Sequence, residues 1–348
     1  MSASIGLQVL IMRSGWQSMG SITLYPLRFE PIYQYRLWGG RRLSGILSAP
    51  LPGDGPIGEA WVLSDRDDYQ SKIANGPLKG QTIGLLMEQY RKQIMGDLAP
   101  RFHRFPLLLK FLDAQQMLSV QVHPSDAHPE LLPPGEMGKT EAWVVVEAGK
   151  GSRIYAGLKP GTTKGELRNS LSDGTIADHL AGIVPRPRDA VFIPAGTVHT
   201  LGEGVVVFEV QQNSDVTFRL YDWEHIDAKT GQLRPLQVDQ AFACINFNGK
   251  AGGLVSPRIE TTTPVEREKL FDCAAFELDR LIGKAPFSVG AADEPRVLVC
   301  IDGSGHVDHG NILYPVSKGD VWLLPGAAGV CAFRPSGEVK LLEIAIPR

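Results

Sequence analysis

Asp189-Ala-Val-Phe-Ile-Pro-Ala-Gly-Thr-Val-His199 reads as a short apolar strand, a Pro-x-Gly turn and a chain that comes back on a histidine. Proline and glycine fix the course of such a turn, so His199 is aimed inward at a defined depth. Working outward, residues 144–147, 205–210, 297–301 and 321–324 are similar short β-rich runs bounded by Gly, Pro, Asp or Asn. Many short strands with frequent turn signals point to a mainly β fold, a sandwich or barrel. The 38 glycines and 25 prolines of the 348 residues agree with that reading, because they show no period and mark tight turns. Helical periodicity is confined to two places. At 82–95, Ile83, Leu85, Leu86, Tyr90 and Ile94 make one apolar face, and Gly96 is a natural stop. An interrupted helical insert follows at 164–171 and 175–180.

Length predicts two or three domains at roughly 150 residues each. Residues 21–245 form the first unit, with its helical segments near 82–96 and 162–181; 246–257, rich in Gly, Asn, Lys and Ser, is a linker; 258–348 is a second β unit. Residues 1–20 read as an extension upstream of a start at Met19, because Arg13 follows the apolar stretch rather than preceding it as in a signal peptide. No run approaches the ~20 apolar residues of a membrane span. A net charge of −3 without a basic run excludes a general nucleic-acid binder. Cys244, Cys273, Cys300 and Cys331 are scattered without a C-x-x-C pair, the pattern of reduced thiols in a cytoplasmic protein.

The chemistry is concentrated between residues 105 and 223. Along Leu118-Ser-Val-Gln-Val-His-Pro124, strand alternation puts Ser119, Gln121 and His123 on one face and Val120 and Val122 on the other. Gly138-Lys-Thr-Glu-Ala-Trp-Val-Val-Val146 brings Lys139 and Glu141 to the start of an apolar strand on a shared face. An acid entering a β core is costly unless it is paired or bound to a cation. Lys110, inside Phe105-Pro-Leu-Leu-Leu-Lys-Phe-Leu-Asp113, is similarly anomalous unless it snorkels to the surface. Arg219 sits among Phe218, Leu220, Tyr221 and Trp223, where a cation needs a partner or a ligand.

Pro194-Ala-Gly-Thr-Val-His199 matches the second metal-binding motif of the cupins, and the whole set of motifs resembles type I mannose-6-phosphate isomerase (phosphomannose isomerase) in its short bacterial form. The resemblance also rests on Arg36-Leu-Trp-Gly-Gly40, Ile57-Gly-Glu-Ala-Trp61 and Asn213-Ser-Asp-Val-Thr-Phe-Arg-Leu-Tyr-Asp-Trp223. It runs from about Leu24 to Trp223 and thins beyond 255 to Lys318-Gly-Asp-Val-Trp322. It implies two cupin-type jelly-roll β-barrels, with a small helical N-terminal segment, a short helical insert and metal in the first barrel only. It implies one zinc ion on Gln121, His123, Glu141 and His199, with Arg219 and Lys139 catalytic. Ser119, Lys110, Lys139 and Arg219 would bind the substrate, and Ser119 would be associated with its phosphate.

The implied reaction interconverts mannose 6-phosphate and fructose 6-phosphate through an enediol or enediolate. A zinc-bound water, Lys110, Lys139 and Asp222 are all candidates for the proton-carrying base. Another metal-cupin enzyme, or an isomerase of a different phosphosugar, is the alternative. A non-catalytic sugar-binding cupin is less favoured, since every expected ligand is present. The other six histidines read as surface or capping residues; His128 alone is near enough to His123 to support it. His306 and His309 lack a second motif, because Leu324-Pro-Gly-Ala-Ala carries no histidine. Trp38 and Trp61 read as packing, and the insert at 162–181 is expected close to the cleft.

Overall fold

A computed structural model describes residues 23–249 and 252–348; the expected N-terminal extension lies outside them. The first unit is a sandwich. One sheet has seven strands in the order Gly253–Leu254, Ala190–Ile193, Glu141–Ala148, Val205–Gln212, Leu107–Ala114, Glu59–Leu63 and Ile32–Gln34. The facing sheet has five, in the order Leu180–Ile183, Ile154–Leu158, His199–Leu201, Val120–Val122 and Phe218–Tyr221. All their pairings are antiparallel. The second unit repeats the plan with sheets of seven and four strands. Fold class is therefore mainly β, as two sandwiches. Among the described residues, no helix is long and apolar enough to cross a membrane.

Two contacts bind the expected linker and N-terminal region into the sheets. Gly253–Leu254 pairs with Val191 and Phe192, and Leu27–Arg28 pairs with Trp322 and Leu323 on the second sandwich.

The large sheet of the first sandwich is buried on both faces, which is why its strands read as nearly continuous apolar runs. Alternation still sorts their side chains. Val206, Phe208 and Val210 point away from the small sheet with Leu107, Leu109, Phe111, Ala142 and Val144, into a core shared with Phe271, Leu278, Val299 and Leu342 of the second unit. Val205, Val207, Leu112, Trp143 and Val145 point inward between the two sheets. On that inward face the apolar residues give way to Glu59, Lys110, Glu141, Glu209 and Gln211, all buried.

Helix Ile83–Met95 starts at Thr82, whose side chain accepts from Leu85 N–H, and stops at Gly96. The insert forms helix Lys164–Asp173 and a short turn at Ile176–His179. Leu167, Ile176 and Leu180 cover the outer face of the small sheet with Val120, Val122, Leu220 and Phe242. The insert is therefore behind the small sheet, and none of its residues lines the cleft described below. Its apolar stripe needed a sheet face to cover, and the free face was the outer one. Phe242 lies on a further short helix, Val238–Cys244, absent from the sequence expectations. The four cysteines are free, with Cys300 and Cys331 buried and the other two partly exposed.

Candidate active site and metal centre

Strand pairing assembles the site. Gln121 lies directly opposite His199 on one side and Arg219 on the other, so three adjacent strands present these side chains in one row. The Pro194 turn then docks onto the next ligand strand: Gly196 N–H donates to the His123 carbonyl at 2.8 Å. Gly196 sits at φ +83, in the left-handed region where a side chain is strained. Gly138 permits the other close approach, since a Cβ there would lie 2.5 Å from Asp126 N. Asp126 accepts from Gly138 N–H at 2.6 Å, and Lys139 N–H donates to the Pro124 carbonyl at 3.0 Å.

His123, Glu141 and His199 are buried, and their ligating atoms all fall within 4.8 Å of one another. Glu141 Oε2 is 3.4 Å from His123 Nε2, and Oε1 is 3.2 Å from His199 Nε2. Each separation, measured to a different oxygen of the carboxylate, is close to the ligand–ligand edge of about 3.3 Å in a tetrahedral site with ligands about 2.0–2.1 Å from zinc. Each imidazole is anchored by its other nitrogen, His123 Nδ1 at 2.8 Å from the Val216 carbonyl and His199 Nδ1 at 2.8 Å from the Thr197 carbonyl. Such bonds fix the tautomer and leave both Nε2 atoms as acceptors. Burial, followed by the nearby Lys139 charge, pushes His123 down to about 3, so its ring is neutral and able to ligate.

Gln121 Nε2 is 3.2 Å from His199 Nε2; half a turn of the amide would present Oε1 to a cation in its place. Neither Glu141 oxygen accepts a well-directed hydrogen bond, although Lys139 Nζ approaches Oε2 at 2.9 Å. A buried carboxylate facing two imidazole Nε2 atoms, with Lys139 as its one cationic neighbour among the described residues, is a cation site by its chemistry.

A cleft of about 460 Å³ adjoins the cluster through Gln121 and Lys139, which are in its wall; Arg36, Lys110, Ser119, Arg219 and Arg234 line it too, together with the acids Glu59, Glu209, Asp215 and Asp227. Lys110 does not snorkel: Nζ lies 3.6 Å from Glu209, 3.8 Å from Glu59 and 3.8 Å from Asp215, and 4.8 Å from the centre of the Trp61 ring. Glu59 is gripped by Arg36 at 2.9 and 3.2 Å and by Trp61 Nε1–H at 2.6 Å. Burial would raise the Glu59 carboxyl, but Arg36 and Lys110 outweigh it and bring it down to about 2. Burial likewise opposes the Lys139 ammonium, yet Glu141, Glu209 and Asp215 raise its pKa and keep it charged. Glu209 accepts from Trp143 Nε1–H at 2.8 Å; burial and then the Glu141 charge raise its pKa.

Arg219 is different. No carboxylate lies within ion-pairing distance of it among the described residues, and its Nε–H is buried without a partner. Burial first, and Arg234 second, lower its pKa.

Other candidates separate from the site. Ser119 is buried beside Gln121, its hydroxyl donating to Oε1 at 3.3 Å. Asp222 is clasped by Arg234 at 2.5 and 2.8 Å and does not line the cleft, so it is no free base. His128 is exposed and meets Glu130 at 3.2 Å, too far out on its loop to support His123. Trp38 and Trp61 are buried, and both also contribute to the cleft surroundings. His309 Nδ1 is 3.9 Å from Cys331 Sγ in the second unit. Sequence reasoning assigned no role to Glu59, Glu209 and Asp215. The first two carried the same signal as Glu141, an acid inside an apolar strand.

Comparison with known proteins agrees with this geometry. Residues 27–137 match the family described as phosphomannose isomerase type I, catalytic domain. The chain is 36% identical to mannose-6-phosphate isomerase ManA of Bacillus subtilis, over 88% of this chain and 95% of that protein. The chain belongs to the type I phosphomannose isomerase family. Within that family, a mannose-6-phosphate isomerase of Streptococcus mutans is 33% identical over 91% of this chain and 97% of its own. The crystal structure of the Bacillus subtilis mannose 6-phosphate isomerase superposes with a TM-score of 0.83 at 28% identity, over 92% of this chain and 99% of that one. A putative mannosephosphate isomerase from Archaeoglobus fulgidus, at 22% identity and TM-score 0.74, shares the fold.

Proposed function

We infer that the chain is a metal-dependent aldose–ketose isomerase interconverting mannose 6-phosphate and fructose 6-phosphate, and we propose one zinc ion per chain as its metal. The observation that carries this is the buried His123–Glu141–His199 cluster, whose neighbours Gln121 and Lys139 stand in the wall of a cleft that Arg219 and Arg234 also line.

Gln121, His123, Glu141 and His199 would hold the metal, and no thiolate joins them. Bound there, zinc supplies Lewis acidity that stabilises negative charge developing on the sugar's carbonyl oxygen. Arg219, next to Gln121 in register and without a carboxylate partner, supplies a second positive group for that charge. Lys139, protonated and aimed at the cluster, holds a proton at Nζ and orients the substrate. Lys110 is fixed by three acids and presents one ammonium to the sugar. Ser119 completes the wall beside Gln121.

We place this chemistry in residues 21–245, joined through 246–257 to a β unit at 258–348 that holds no metal, in a cytoplasmic protein. A coupled assay for fructose 6-phosphate formation, run on the purified chain before and after chelation, tests the reading. Turnover lost with chelator and restored by zinc is expected; chelator-insensitive turnover, or none on mannose 6-phosphate, would overturn it.

A further inference from the structure

The cleft's cations are mostly spoken for. Arg36 is held by Glu59, Lys110 by three acids and Lys139 by Glu141. Arg234 is held as well, but in a way that leaves half of it free. It follows a hairpin in which Ile226–Asp227 pairs with Gln232–Leu233. The chain then runs back beside the Arg219 strand. Gln237 N–H donates to the Arg219 carbonyl at 2.9 Å, and Arg219 N–H donates to Gln237 Oε1 at 3.1 Å. This clasp returns Arg234 to the cleft wall, where its side chain is only 18% exposed.

There Asp222 takes Nε–H at 2.8 Å and one Nη2–H at 2.5 Å. A guanidinium carries five N–H groups in a rigid planar fork. Side-on pairing with Asp222 uses one edge. The other edge, Nη1 and the remaining Nη2–H, makes no protein hydrogen bond among the described residues. That edge has the spacing that suits two oxygens of a phosphate. Asp222 is 7% exposed, so the orientation is locked by a buried carboxylate rather than by chance packing. Arg234 also lowers the Arg219 pKa by proximity. Arg219 and Arg234 share this cleft with Asp215 and Asp227, but among the described residues no ion pair joins either guanidinium to those two acids, so the unpaired guanidinium edges suit a phosphate dianion.

We propose that Arg234, aimed by Asp222, recognises the substrate's phosphate through its free Nη edge and so confers selectivity for phosphorylated over free sugars. The proposal rests on the phosphosugar reading of the site. It divides the wall by function: Arg219, beside Gln121, serves the reacting end of the sugar, and Arg234, from a separate segment, serves the phosphate end. Asp222 is then a positioning residue that carries no proton.

The test pairs steady-state kinetics on the full, metal-loaded chain with calorimetric titration by inorganic phosphate, which needs no turnover. Loss of a charge-assisted bidentate contact predicts that Arg234→Gln raises KM for mannose 6-phosphate by about 10- to 100-fold and weakens phosphate binding by a similar factor. The change in kcat should be far smaller. Arg234→Lys keeps the charge but not the fork and should fall between; Asp222→Asn should weaken phosphate by a smaller factor. Phosphate affinity unchanged in both Arg234 variants would overturn the proposal, as would a fall in kcat with KM and phosphate affinity intact. Should Arg234→Gln fail to fold, Arg234→Lys decides alone, with undiminished phosphate affinity as the overturning result. Wild-type protein that binds phosphate through Arg234 but turns over no mannose 6-phosphate would sink the proposed reaction and leave this role standing.

Discussion

Glu141 is the residue on which the site turns. Its two oxygens face both imidazoles and accept no well-directed hydrogen bond, so removing the carboxylate removes both a ligand and the charge that draws a cation in. Glu141→Ala should emerge from purification without stoichiometric zinc and with activity lowered at least about 100-fold. Metal analysis beside turnover measures both, and full zinc occupancy in the variant would refute the ligand set. Glu59 makes a different prediction, on stability. Its folded carboxyl, at about 2, lies below the ordinary 4.5. The folded state therefore binds fewer protons, and the stabilisation is complete above the ordinary value and lost as pH falls from there towards about 2. Glu59→Gln should melt well below wild type at pH 7, with the gap narrowing at pH 3. A gap independent of pH would show that the Arg36–Glu59 pair is not its source. Glu141 and Lys110 are legible as anomalies because a charge inside an apolar run has few cheap explanations. Glu209 had the same signature, between Phe208 and Val210.

At the scale of the element, alternation does most of the sorting. Lys110 and Glu209 are flanked on both sides, and Glu141 on one side by Ala142, by residues that point to the opposite face, into the core shared with the second unit. Period two is a property of any extended chain, so the face shared by Ser119, Gln121 and His123 could be read from residue order alone. Helix Ile83–Met95 was readable for the same local reason: apolar spacing, a Thr cap and a Gly stop. Helix Val238–Cys244 was not, because seven residues are too few to establish a period.

The insert was legible as a helix but not in its placement, since a stripe of Leu167 and Ile176 specifies burial and not which sheet face provides it. A local test follows. Thr163 and Glu166 form a reciprocal capping box at the start of this helix. Thr163→Ala should cost about 1 kcal/mol, seen in thermal or urea unfolding, while KM and kcat stay unchanged. A shifted KM would bring the insert back to the cleft.

For the whole molecule, the outer face of the large catalytic sheet is also the floor of the second unit. Phe208 packs edge-on to Phe111 at 5.2 Å within a cluster that reaches Phe271 and Leu342. Truncating it leaves a cavity, and Phe208→Ala should cost about 3–5 kcal/mol in denaturant unfolding. Phe208 faces away from the cluster that Glu209 faces, so zinc content of the folded variant should hold. Loss of zinc at unchanged stability would mean that the two faces are not separable. This shared core gives the second sandwich a role that needs no chemistry of its own: it keeps the back of the active-site sheet away from water.

By itself, the sequence determined the β class, the turns, the strand faces and the residues that could not rest unpaired in an apolar layer. Each of these depends on neighbours within a few positions. Only the tertiary structure decided how charges from distant segments cancel. Arg36 meets Glu59, Lys110 meets Glu209 and Asp215, and Asp222 takes one edge of Arg234. What is left over among the described residues, a Glu141 carboxylate with Lys139 as its one cationic neighbour, an Arg219 guanidinium without an ion pair and the free edge of Arg234, is a remainder of those long-range pairings. Local periodicity carries no information about which partner a charge will find across a sheet, and that remainder is where the chemistry resides.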